Sequence, residues 1–117
     1  MADSRWGDIM DHLKANGIDV YSPGIKTGEC KAPYVVVKDA GASKMTSFSS
    51  MNHYYDILIY VPARNYSKLE PYVNEIKKLM TELKPTFREA GQETEAFYDD
   101  TNKSHMISVM YKNYRKL

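Results

Sequence analysis

Apolar residues along this 117-residue chain fall into two helical stripes separated by stretches of two-residue alternation. Trp6, Ile9, Met10 and Leu13 stand at i, i+3, i+4, i+7 spacing, which predicts a helix that Asp3 or Ser4 can cap. Asn16-Gly17 supplies its stop, because Gly tolerates the left-handed conformation there. A short apolar bridge over 18–21 leads to the turn Ser22-Pro23-Gly24. The β-branched run Val35-Val36-Val37, preceded by Pro33 and Tyr34, predicts a strand. A loose, small and polar stretch follows from Ala40 to Ser50, with Met45 and Phe48 as its apolar tips. The strongest strand is expected over 53–61, ended by Pro62 and Asn65. Ser67-Lys68-Leu69-Glu70 matches the S-x-x-E capping box and opens a second helix. Its stripe is Leu69, Val73, Ile76, Met80 and Leu83, flanked by Tyr72 and Leu79, and Lys84-Pro85 stops it. This second stripe covers only about two heptads, which suits a face packed on a sheet better than a coiled coil. The last third reads as a hairpin, 95–98 with 105–111, around the turn-rich Asp99-Asp100-Thr101-Asn102-Lys103.

The order helix, strands, helix, strand hairpin argues an α+β fold with a mainly antiparallel sheet and two amphipathic helices. The length fits one domain over 1–117.

Alternation across the strands gives a sheet with two apolar faces. His53, Tyr55, Ile57, Ile59 and Val61 share one side of the central strand; Tyr54, Asp56, Leu58 and Tyr60 share the other. In the last strand Ile107, Val109 and Tyr111 lie opposite Met106 and Met110. A solvated sheet face reads polar, and two short helices can cover one face but hardly two. Either the chain covers its own second face, by curling or by placing one helix on each side, or that face meets another copy. Met45, Phe48, Tyr54, Leu58, Tyr60, Met106 and Met110 are the candidate interface residues, since Met adapts to irregular partners. Ten Tyr against 3 Phe and 1 Trp add to this, because a ring with a polar tip suits half-buried positions in strands or between chains.

Charge excludes little else. A net charge of +1 argues against the whole molecule as an electrostatic nucleic-acid binder. From Arg88 to Asp100 the acids Glu89, Glu93, Glu95, Asp99 and Asp100 outnumber Arg88, and from Lys103 onward only Lys103, Lys112, Arg115 and Lys116 appear. Cross-strand pairing within one hairpin or head-to-tail complementarity between subunits would each explain the contrast. The single Cys30 leaves no internal disulfide, which fits a reducing compartment. The sequence contains neither an apolar run of the ~20 residues a membrane helix needs nor, at Met1-Ala2-Asp3-Ser4-Arg5, a signal-peptide core.

Catalytic or metal chemistry is not expected. His12, His53 and His105 lack metal-ligand spacing. Lys31 beside Cys30 could favour a thiolate, but no His base accompanies it. Asp99-Asp100 is explained as turn chemistry, and no phosphate loop, G-x-S-x-G or H-E-x-x-H occurs. No cofactor is implied. Tyr111-Lys112-Asn113-Tyr114-Arg115-Lys116 interleaves aromatics with bases, a texture of single-stranded nucleic-acid binders and equally of a solvated strand end.

In layout the chain resembles the tail terminator, or tail-completion, proteins of tailed bacteriophages and of related prophages and tailocins. The resemblance runs over nearly the whole chain. It starts with the N-terminal amphipathic helix, Ala32-Pro33-Tyr34-Val35-Val36-Val37 and a long loop. It continues with Tyr54-Tyr55-Asp56-Ile57-Leu58-Ile59-Tyr60-Val61 and the helix over 67–83, and closes with Phe97-Tyr98-Asp99-Asp100 and Ile107-Ser108-Val109-Met110-Tyr111. It implies a non-enzymatic subunit of a homohexameric ring in the virion tail, assembled in the bacterial cytoplasm. Such a ring caps the tail tube and offers a docking surface to the head connector or sheath, with DNA only as cargo. The family has no catalytic signature, so it assigns no residue here. A head-side connector adaptor, or a small RNA-binding regulatory α+β module, are the alternative expectations.

Overall fold

The computed structural model describes residues 5–44 and 50–116, with side chains over 5–42 and 52–113. Its elements in chain order are α1 (Arg5–Ala15), β1 (Val20–Tyr21), β2 (Tyr34–Lys44), β3 (Ser50–Pro62), a 3-10 segment (Ala63–Lys68), α2 (Leu69–Thr81), β4 (Arg88–Glu93), β5 (Phe97–Asp99) and β6 (Ser104–Lys116). The fold is α+β. β3 and β6 form the spine, antiparallel from Ser50↔Lys116 to Pro62↔Ser104. At ~3.4 Å per residue these strands run about 40 Å, which accounts for the long axis of a 47 × 29 × 25 Å molecule. β2 lies on the other side of β3, β1 adds to β2 in parallel, and β4 and β5 share the far edge of β6.

Both helices pack on one face, so the chain does not place one helix on each side of the sheet. Tyr55, Ile57, Ile59 and Val61 of β3 join Val35, Val37, Val109 and Tyr111 beneath Ile9, Met10 and Leu13 of α1 and Leu69, Val73, Ile76 and Met80 of α2. Each fully buried aliphatic side chain contributes about 1.5–3 kcal/mol. Phe87, in the turn after α2, seals the layer with its ring edge-on to Tyr55 at 5.8 Å. Polar contacts fix the helices laterally. The Trp6 indole N–H donates to the Val37 carbonyl at 2.7 Å, and His12 Nε2 lies 2.9 Å from the Leu79 carbonyl and 3.1 Å from a Glu82 carboxylate oxygen.

Several boundaries differ from the sequence reading. The Ser67–Glu70 capping box does not form: α2 begins after Lys68, with no side-chain cap hydrogen bond. The preceding 3-10 segment already places Lys68 in the helical region, whereas a capping Ser needs extended backbone. The helix ends at Thr81, before Leu83. β2 does not loosen at Ala40; it continues to Lys44 through a register shift between Asp39 and Ala42. Gly41, at φ 94°, turns the corner, and its N–H donates to Asp39 Oδ1 at 3.0 Å. β3 starts at Ser50 and β6 runs to Lys116, so the basic C-terminal segment is a paired strand. β4 is an additional strand. The cap candidates Asp3 and Ser4 lie outside the described residues.

Candidate interface on the second sheet face

The face away from the helices is ordered in rows by strand register. Tyr34, Tyr60, Met106 and Phe97 form the first row across β2, β3, β6 and β5. Val36, Leu58 and Ser108 form the second, and Lys38, Asp56 and Met110 the third; Tyr54 then stands opposite Lys112. Five residues singled out from the sequence, Tyr54, Leu58, Tyr60, Met106 and Met110, therefore share this face. Met45 and Phe48 lie outside the described residues.

The chain covers one end of this face itself. The connection between β1 and β2 crosses it and places Cys30 against Tyr34 and Val36, with Tyr21, Leu58 and Tyr60 packed around them. Backbone and side chain pin the crossing: the Cys30 N–H donates to the Asn102 carbonyl at 2.7 Å, and Asn102 Nδ2 donates to the Tyr34 hydroxyl at 3.2 Å. The Tyr34 and Tyr60 rings stack at 4.7 Å, Tyr21 stands edge-on to Tyr34 at 5.9 Å, and Lys26 Nζ sits 5.4 and 5.6 Å from the Tyr21 and Tyr34 ring centres. Burial pushes the Tyr34 hydroxyl up to about 12 and raises Tyr60 as well. It also raises the Cys30 thiol, against an opposing pull from Lys26. A thiol so placed is protonated at neutral pH and serves packing. The base that acts on it is Lys26, not the adjacent Lys31.

The remainder of the face is half covered. Tyr54, Asp56, Leu58, Met106 and Met110 are each partly exposed, and at the β5 edge Phe97 is 47% exposed, while Tyr98, 45% exposed, alternates to the helix side. Asp56 is the one acid among these rows, and the Ser108 hydroxyl lies 3.4 Å from its Oδ1. Sequence reasoning missed the edge residues. Their signal was the register of the hairpin, which sets Phe97 beside Met106 and Tyr98 beside His105. On the other face His105 lies between the Tyr66 and Tyr98 rings, at 4.7 and 5.2 Å.

The contrast between acidic and basic segments is not resolved by cross-strand pairing. The β4–β6 register sets Arg88 opposite Lys112 and Glu89 opposite Tyr111. The ion pairs these acids make among the described residues are Glu93 with Lys77 of α2 and Asp100 with Lys103 inside the turn. No group of three or more His, Cys, Asp or Glu is placed to hold a metal among the described residues, and no helix there is long and apolar enough to cross a membrane. What the second face offers chemically is a half-dry, Tyr- and Met-rich surface able to lose water against another surface. Compared with known proteins, the sequence matches no family model and no curated protein sequence.

Proposed function

We propose that this chain is a structural subunit of a phage-type tail that closes into a homo-oligomeric ring, caps the tail tube and presents a docking surface to the head connector. The observation that carries the reading is the half-covered second face. Both helices are spent on the other side, and the crossing segment shields only the Tyr34–Tyr60 end. Leu58, Met106, Met110 and Tyr54 are left partly wet beside an exposed Phe97. Burying such a patch gains about 25 cal/mol per Å² of apolar area, and Met and Tyr are the residues enriched where chains meet. The layout resemblance to tail terminator proteins supplies the type of assembly, and the absence of recognised catalytic motifs in the sequence is in keeping with it.

The test is oligomeric state by size exclusion with light scattering, over a range of concentrations and with a tail-tube protein added. Concentration-dependent oligomers are expected, and Met110→Asp should give folded monomers, because burying an unpaired carboxylate at the contact costs several kcal/mol. Tyr60 is a poor choice for this test, since its ring stacks on Tyr34 within the monomer. A chain that stays monomeric throughout, tube protein included, refutes the ring.

A further inference from the structure

The end of the sheet where β4 meets the later half of β6 carries a second feature, on different residues. The start of α1, the turn ahead of β4 and the β4–β6 ladder border an open cleft of about 570 Å³. Arg5, Arg88 and Lys112 contribute to its lining from three separate elements, together with the polar residues Asn52, Thr86 and Asn113, and no carboxylate among the described residues lines it. The Asn113 amide donates to the Thr86 carbonyl at 2.7 Å and holds the turn against the sheet. Asp8 pairs with Arg5 at 3.5 Å, and Glu89 follows Arg88, but both stand outside the lining.

Two observations converge on an anion. The first is this concentration of cations in a chain whose net charge is only +1. The second is register: Arg88 and Lys112 are direct cross-strand partners, and like charges directly opposite one another destabilise a strand pair. An anion seated between them turns that repulsion into a charge network. We propose that the cleft binds a phosphate group, with Arg88 and Lys112 as its principal contacts and Arg5 as the third. A guanidinium fork matches two phosphate oxygens and an ammonium serves as a point charge. Phosphate fits this cleft better than carboxylate because its extra oxygens and larger negative charge can engage three cations at once. The cleft is complete within one chain, so the inference stands apart from the ring: a protein that never assembles can still bind phosphate.

The full-length chain is titrated with inorganic phosphate, with acetate and with a labelled single-stranded oligonucleotide of about 12 nucleotides, within the usual site-size range. Phosphate is expected to bind and to raise the melting temperature, with acetate clearly weaker. Arg88→Gln and Lys112→Gln should each weaken binding about tenfold, the scale of one lost charge-assisted hydrogen bond. Lys14→Gln, an exposed base on the last turn of α1, should leave it unchanged. Without phosphate, Arg88→Gln should melt higher than the parent, because the repulsion is relieved; a merely structural arginine would give the opposite. An oligonucleotide that binds at least about tenfold tighter than phosphate, and weakens steeply from about 50 to about 200 mM salt, identifies a nucleic-acid backbone as the source. Equal affinities identify a lone phosphate group. Acetate binding as tightly as phosphate, no phosphate binding, or binding indifferent to both Gln variants overturns the proposal.

Discussion

Tyr111 sits 3% exposed in the helix-side core, and its hydroxyl finds no hydrogen-bond partner among the described residues. A buried, unpaired hydroxyl forfeits its hydration with nothing in return, a loss of about 1–3 kcal/mol. Burial is also the first cause of its raised pKa, with Glu89 and Glu93 adding to it. Tyr111→Phe keeps the ring and removes the orphan. The variant should therefore be more stable by about 1 kcal/mol, read as a higher denaturant midpoint at unchanged slope. A lower midpoint would mean that the hydroxyl has a partner in solution. Other polar groups in the same layer are satisfied: the Trp6 indole reaches Val37 and the Asn113 amide reaches Thr86.

At the level of elements, the turn within β2 rests on one backbone angle. Gly41 stands at φ 94°, and a Cβ added there meets no atom within 4 Å. Gly41→Ala thus isolates backbone strain from steric conflict, and should lower stability by about 1 kcal/mol; an unchanged denaturant midpoint would show that the strand does not need this corner. The same turn explains why the sequence misled there. Ala40-Gly41-Ala42-Ser43 carries no alternation and reads as loop, yet the bulge absorbs one irregularity and lets pairing with β3 resume. Both helices were legible because their apolar stripes repeat at the helical period over two or more turns. β4 was not, since Arg-Glu-Ala-Gly-Gln-Glu at a sheet edge buries almost nothing, and polarity without periodicity is indistinguishable from loop. The two sheet faces could be read from β3 alone, because a period of two admits only one partition. The cover over Tyr34 and Tyr60 could not: it depends on Cys30 meeting Asn102, a contact between segments far apart in the chain that no local pattern encodes.

Across the whole molecule, buried tyrosines tie both faces of the sheet to pH. Tyr72 and Tyr111 belong to the helix side, Tyr34 and Tyr60 to the covered end of the other, and burial is the leading cause of each raised hydroxyl. Tyr34 moves from 10.0 to about 12. In the unfolded chain these groups ionise near pH 10, while the folded state holds their protons to higher pH. Above pH 10 the unfolded state therefore binds fewer protons than the native one, and stability falls as pH rises. The contribution is complete below about pH 10 and is lost through the window up to about 12 for Tyr34. Because the four rings anchor β2, β3, α2 and β6, ionising them releases both layers together rather than one loop. Phenolate absorbance and far-ultraviolet circular dichroism, followed on the same alkaline titration, should show a block of tyrosines ionising in step with loss of secondary structure. Ionisation of all 10 tyrosines near pH 10 with the dichroism intact would contradict the link, since it would require these hydroxyls to reach water without the sheet opening.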